Sequence, residues 1–480
     1  MSLGKRIFSG VLWSAIDRLS TQVFQFILGI ILARLLTPTE YGTVGLLLVF
    51  IAISKVFIDS GFTKALIQKQ DRSDKDISTV FLFNIAISLL AYSILWFVSP
   101  YIADFYNIEI LSLLLKVLAL SLIINAIYTV PYTLITITLD FKTTSKINIA
   151  STILSGIVAV YMAYNGYGVW ALVFQTLISS ITTVIMVWIF NSWRPSFIFS
   201  KKSFTKLFSY GSKLLVSSLL ERLVSDLSSL LIGKYLSATN LGFYTRGTQF
   251  ANFFSSSIGS IIDRVLLPGL ATVQDDMNLL VQHVKKIIRL NALITIPLFT
   301  GLCILSKPII QVLLTDKWIM AVPIMQILCI ARLITLICSI NVNLLYIIGR
   351  TDLALRQQYI KISIRIVFVI VAIKYGIIYI ALAELLSTAI HYFINSYYPG
   401  KLMSYGALKQ LKDISPFFFA GLVMAIIVYL TTILIDNNIL KLILGPLVGI
   451  PTYLFMIKML KINELNYLIQ KIKELKANKL

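Results

Sequence analysis

Apolar residues fall in fourteen runs separated by short polar connections: approximately 10–34, 42–67, 77–99, 111–139, 146–164, 168–192, 207–233, 242–267, 287–313, 321–348, 359–376, 378–398, 414–435 and 440–460. Most reach the ~20 residues that a helix needs to cross ~30 Å of hydrocarbon. The pattern predicts an all-α polytopic membrane protein of about 14 transmembrane helices. The first run sets the theme. From Leu19 to Leu36 its only charge is Arg34, while Arg18, Gln22 and Gln25 recur at helical spacing and form one polar face. Lipid cannot satisfy such a face, so it must meet protein or a water-filled cavity. Thr37-Pro38-Thr39 then ends the helix, because proline bars its continuation.

The same turn recurs about 200 residues later. Leu32–Gly42 (LARLLTPTEYG) aligns with Ile232–Gly242 (IGKYLSATNLG), with Leu36/Leu236, Thr39/Thr239 and Gly42/Gly242 identical. A second echo pairs Gly166–Leu172 with Gly376–Leu382. Two ordered echoes at nearly one offset predict a duplicated unit of six helices, giving two pseudo-symmetric lobes. Both copies start on the same side, so the repeats are parallel, related by an axis along the membrane normal. The expected division is an N-lobe at 1–192, a basic linker at 193–206, a C-lobe at 207–400, two further helices at 401–460 and a basic tail at 461–480. The tail alternates Lys with Leu and Ile, a pattern compatible either with an amphipathic helix at the anionic inner leaflet or with a frayed terminus.

Charge in the connections orients the chain. Alternate connections are rich in Lys and Arg, as in Lys64/Lys69/Arg72/Lys75 and Arg350/Arg356/Lys361, while the others hold little beyond Asp104, Glu109, Lys234, Asp316, Lys317, Lys374 and Asp436. The positive-inside rule makes the rich set cytoplasmic and puts both termini inside. It also accounts for the formal charge of +21 without nucleic acid. Composition agrees: 58% hydrophobic and 13% charged, against roughly 25% charged in soluble domains. Cys303, Cys329 and Cys338 sit in apolar runs without metal-ligand spacing. No GxxxxGK[ST] loop, HExxH pair or serine nucleophile elbow is present, and His283 and His391 stand alone. The chain is expected to be a transporter and not an enzyme, with no metal and no cofactor.

Intramembrane charge carries the chemistry, since each ionised group at the bilayer centre costs roughly 2.5–3.5 kcal/mol and needs a partner or a purpose. Charges concentrate in the first two runs of each repeat: Asp17 and Arg18, Lys55 and Asp59, then Lys213, Glu221, Arg222 and Asp226, then Arg246, Asp263 and Arg264. Lys55/Asp59 and Arg222/Asp226 are i, i+4 pairs that can neutralise one another. Lys116, Lys307, Arg332, Arg365 and Glu384 are scattered through other runs. If the openings of the repeats face each other, the charged helices line a central cavity; otherwise the pairs are structural. Such a cavity suits an amphiphile with an anionic head, because Arg and Lys make charge-assisted hydrogen bonds to phosphate.

The strings KRIFSGVLWSAIDRL, ILARLLTPTEYGTVGLLLVFI, FIDSGFTKALIQKQD, NGYGVWALVFQ and LIGKYLSATNLGFYTRGTQF resemble bacterial polysaccharide flippases. These are the Wzx-type, colanic-acid/teichuronic-acid-like branch of the multidrug/oligosaccharidyl-lipid/polysaccharide exporter superfamily. The resemblance covers nearly the whole chain. It implies two six-helix lobes forming a V, two appended helices, and a bacterial cytoplasmic (inner) membrane location. It implies transfer of undecaprenyl-pyrophosphate-linked oligosaccharide to the outer face by alternating access, for surface polysaccharide export. A polysaccharide polymerase is a candidate partner. Relatives that flip the lipid-linked peptidoglycan precursor use arginines on the first, second and eighth helices, which by position are Arg18, Lys55 and Arg264 here. The full candidate substrate set is Arg18, Gln22, Gln25, Lys55, Arg222, Arg246 and Arg264, with Asp59, Glu221 and Asp226 as candidate carriers of a coupling H+ or Na+. This chain departs from those relatives in having Lys at the second position and acids beside its cations. The alternatives are a cation-coupled multidrug antiporter of the same superfamily, a membrane glycosyltransferase or polymerase, and an assembly scaffold.

Overall fold

Proline, glycine and short polar caps punctuate the apolar runs into helices. The computed structural model describes residues 3–59, 61–69, 71–271, 273, 276–467, 470 and 474, with no strand among them. Its α-helices are α1 (Leu3–Leu35), α2 (Pro38–Asp59), α3 (Phe62–Gln68), α4 (Asp74–Tyr106), α5 (Ile110–Ile137), α6 (Phe141–Tyr164), α7 (Trp170–Phe190) and α8 (Lys201–Tyr235). They continue as α9 (Ala238–Ala271), α10 (Met277–Ile304), α11 (Ser306–Leu314), α12 (Ala321–Ile347), α13 (Thr351–Ala372), α14 (Ile377–Met403), α15 (Ala407–Ile433) and α16 (Asn438–Met459). Among the described residues, ten helices are long and apolar enough to cross a membrane.

Two of the apolar runs are each broken into two helices. Run 42–67 divides into α2 and α3 around Gly61, whose φ of 72° suits glycine. A Cβ there would also lie 2.7 Å from the Gly211 carbonyl oxygen of α8. Run 287–313 divides at Leu305, just before Pro308 in the first turn of α11. Proline has no N–H to give to a continuous helix, so a break there leaves fewer unpaired groups.

The chain packs as two units, Met1–Gly242 and Phe243–Leu480. In the first, α1 lies on α6, α4 and α7 both lie on α5, and α8 packs against α2, α3 and α4. The seventh apolar run is therefore held by helices that precede the basic linker. The linker is itself pinned: Ser196 N–H donates to Ser78 Oγ at 3.2 Å, and Ser200 N–H donates to Thr79 Oγ1 at 3.0 Å. Trp193 meets the Phe81 ring edge-on at 5.6 Å. Phe62 anchors the same corner, 4.7 Å from Phe83 and 5.7 Å from Phe204. Phe197, in the same linker, is 89% exposed.

The repeated turn meets itself within the first unit. Thr39 and Thr239 hydroxyls share a hydrogen bond of 2.7 Å. A Cβ on Gly42 would lie 1.6 Å from the Ala238 carbonyl oxygen, and one on Gly242 would lie 1.9 Å from that of Pro38. Small residues allow this approach, as at many membrane helix crossings.

The start of α4 is tied by Asp76, which is 2% exposed. Its carboxylate accepts from Ser73 N–H and Ser73 Oγ, both at 2.8 Å, and pairs with Lys69 Nζ at 2.5 Å. Ser73 Oγ accepts in return from Asp76 N–H, completing a capping box. Asp76→Ala is expected to cost about 2 kcal/mol, seen as faster amide exchange over the first turn of α4.

In the second unit α12 lies between α10 and α14, α13 lies on α14, and α15 packs on α10 and α16. Asn341 of α12 and Gln410 of α15, both fully buried, exchange amide hydrogen bonds of 2.9 and 2.8 Å. A buried amide pair satisfied in this way fixes the register of the two helices. Arg289 of α10 pairs with Glu464 beyond α16, and Lys286 Nζ lies 3.3 Å above the Tyr467 ring. Most of the tail after Tyr467, with its amphipathic pattern, lies outside the described residues.

Candidate functional site

The charged helices of the first unit place their side chains unequally. On α1, Gln22 is half-buried and Gln25 is exposed, while the Arg18 side chain lies outside the described residues. Asp17 is held by α6: Asn148 Nδ2 donates to its two carboxylate oxygens at 3.2 and 3.1 Å and to the Tyr132 hydroxyl at 3.1 Å.

Packing of α2 on α8 brings Lys55 into electrostatic reach of Arg222. Lys55 is exposed. Arg222 Nε sits 2.5 Å from Asp226 Oδ2, one turn along α8. The matching Lys55/Asp59 pair does not form among the described residues, and Asp59 Oδ1 is buried without a hydrogen-bond partner there. Asp59 is the last residue of α2, where the helix stops and its dipole disfavours an acid. Glu221 is exposed on α8. Two cations on neighbouring helices, one without an acidic partner among the described residues and one oriented by a carboxylate, can together contact a polyanionic phosphate group.

In the second unit Arg246 of α9 is buried. It donates to Gln249 Oε1, and its guanidinium lies 5.9 Å from the Trp318 ring centre. The Arg264 and Asp263 side chains lie outside the described residues.

The most connected charge in this unit is a residue that spacing did not single out. Glu384 of α14, 3% exposed, is met by Arg332 Nη1 of α12 at 2.9 Å and Arg365 Nη2 of α13 at 2.7 Å. The Tyr244 hydroxyl of α9 donates to it at 2.7 Å, and Arg332 Nε donates to Asn252 Oδ1 at 2.5 Å. One carboxylate thus joins four helices. No spacing rule could reveal it, because the three charged groups lie on three different helices. Its only trace in the sequence is that each intramembrane charge needs a partner. Among the described residues no group of three His, Cys, Asp or Glu side chains is arranged to hold a metal.

A family described as "Polysaccharide biosynthesis protein" matches residues 31–323, which include Lys55, Arg222 and Arg246. The chain belongs to that family. This polysaccharide biosynthesis protein is 29% identical over 355 residues to the teichuronic acid biosynthesis protein TuaB of Bacillus subtilis (strain 168), covering 74% of each chain. It is 24% identical over 410 residues to the lipopolysaccharide biosynthesis protein WzxC of Escherichia coli (strain K12), covering 82% of each. Its fold is similar to that of the lipid II flippase MurJ in an inward closed conformation, with a TM-score of 0.77 and 17% identity. That match covers 94% of this chain and 98% of MurJ. This family member is thus a multi-pass membrane protein with the fold of MurJ.

Proposed function

We propose that this protein moves undecaprenyl-pyrophosphate-linked oligosaccharide from the inner to the outer face of the bacterial cytoplasmic membrane, by alternating access. The observation that carries the reading is exposed Lys55 within electrostatic reach of Arg222 in a polysaccharide biosynthesis protein. In this reading Lys55 and Arg222 grip the pyrophosphate and Asp226 orients the Arg222 fork. Gln22 and Gln25 face sugar hydroxyls and Arg18 adds positive potential, while Arg246 and Arg264 are the candidate substrate cations of the second unit. The acyl chains stay in lipid. A ligand shifts a two-state transporter only by its difference in affinity between the states, so the grip must loosen in the outward state. Asp59, Glu221 and Asp226 are the groups for a coupling H+ or Na+, and Asp59, with a buried oxygen lacking a partner among the described residues, is the first to test.

The test is the membrane face on which the lipid-linked oligosaccharide accumulates in cells lacking the chain. Accumulation on the cytoplasmic face, reversed by the wild-type chain, is expected. Each lost charge-assisted contact is worth about 1.5–3 kcal/mol, so Lys55→Ala and Arg222→Ala should each lower outward transfer by about ten- to a hundredfold. Outward transfer that persists without the chain would overturn the reading. Full rescue by both variants would remove these residues from the grip.

A further inference from the structure

Helix α13, which covers most of the apolar run 359–376, carries a burden of charge that the transport reading does not use. It is 22 residues long, about 33 Å, and carries Arg356, Lys361 and Arg365. Arg365 is accounted for by Glu384. Toward the other end a cleft of about 700 Å³ opens between the start of α13 and the end of α14. Arg350, Arg356 and Lys401 stand on its rim, with Tyr398 beside them and Ile360 and Phe393 on its walls.

The rim charges are not equivalent. Arg350 is tied to Asp352 by two parallel contacts of 3.0 Å, Nε to Oδ1 and Nη2 to Oδ2. Arg356 and Lys401 are exposed and have no acidic partner among the described residues. The rim therefore keeps two positive charges after Asp352 is counted. The cleft floor is closed by Gln357, whose Nε2 donates to the Ile394 carbonyl oxygen and joins α13 to α14.

Below the rim the helix surface changes character. Arg356, Ile360, Val367 and Val371 lie at i, i+4, i+11 and i+15, so they follow one face of α13. The three apolar members are exposed, Val367 to 58%. A cationic head followed by an apolar track along one helix has the outline of an amphiphile. A soluble anion would use only the rim. The basic connection at 349–361 marks this end as cytoplasmic, where the leaflet is anionic.

We propose that this cleft holds the phosphate headgroup of an anionic phospholipid of the cytoplasmic leaflet. Arg356 and Lys401 contact the phosphate, and the acyl chains run along Ile360, Val367 and Val371. The site shares no residue with the proposed phosphate grip, so it stands whatever cargo the transporter carries.

The test uses the purified full-length chain in neutral detergent with equal amounts of phosphatidylglycerol and phosphatidylcholine of the same acyl chains, and counts bound lipid by native mass spectrometry. Wild type should favour phosphatidylglycerol, by about fivefold for each free cation. The double substitution Arg356→Gln with Lys401→Gln should bring the ratio close to one. Asp352→Asn, which frees Arg350 without removing any cation, should raise it and guards against misfolding of the double variant. Lys374→Gln, at the far end of α13, should leave it unchanged. An excess of glycerol phosphate should not displace the lipid. Equal retention of both lipids by wild type, an unchanged ratio in the double variant or in Asp352→Asn, or an equal loss in Lys374→Gln would overturn the proposal. Displacement by that excess of glycerol phosphate would make the cleft a site for free phosphate esters and overturn it as well.

Discussion

Glu384→Gln should destabilise the chain by about 3–5 kcal/mol, the cost of removing one member of a buried ionic network. The substitution keeps size and shape, so packing loss contributes little. What it removes is the single negative charge shared by Arg332 and Arg365, leaving two partly buried guanidinium groups facing a neutral amide. Tyr244 keeps an acceptor, so its hydrogen bond can survive. Thermal unfolding in detergent measures the effect. The combination Arg332→Met, Arg365→Met and Glu384→Leu should recover most of the loss, because well-packed apolar groups often replace a buried ion network at no cost. A Glu384→Gln variant that melts with wild type would show that the network holds nothing together.

Gly42→Ala and Gly242→Ala should each cost about 3 kcal/mol, the upper end of the range for overpacking. The obstruction in both cases is a backbone carbonyl, at 1.6 and 1.9 Å from the new carbon, and backbone cannot swing aside as a side chain can. The starts of α2 and α9 must separate, stretching the Thr39–Thr239 hydrogen bond. Once separated by one methyl they have room for the second. The double variant should therefore lose clearly less than the sum of the two single losses, which a double-mutant cycle measures. Strict additivity would mean that the two glycines do not share one contact.

Much of the helical layout was legible because the solvent is lipid: apolar runs must be helices where the backbone has no other partner. The breaks at Gly61 and before Pro308 were less so. They lie inside apolar stretches, and only the close approach of Gly211 explains the first. Helical spacing brought Arg222 to Asp226 as expected, yet it failed for Lys55 and Asp59, because α2 ends at Asp59. The Glu384 network was illegible for a different reason. Its members are scattered over 140 residues, from Tyr244 to Glu384, and tertiary packing alone brings them together.

The contact between the two copies of the repeated turn has a genetic consequence. Carbonyl oxygens of Pro38 and Ala238 face Gly242 and Gly42 in turn, so each copy constrains the other at the same place. A mutational scan read position by position would score 42 and 242 as two independent intolerant sites. They behave instead as a single locus written twice in the gene. A suppressor of a lesion in one copy is to be sought about 200 codons away, in the other.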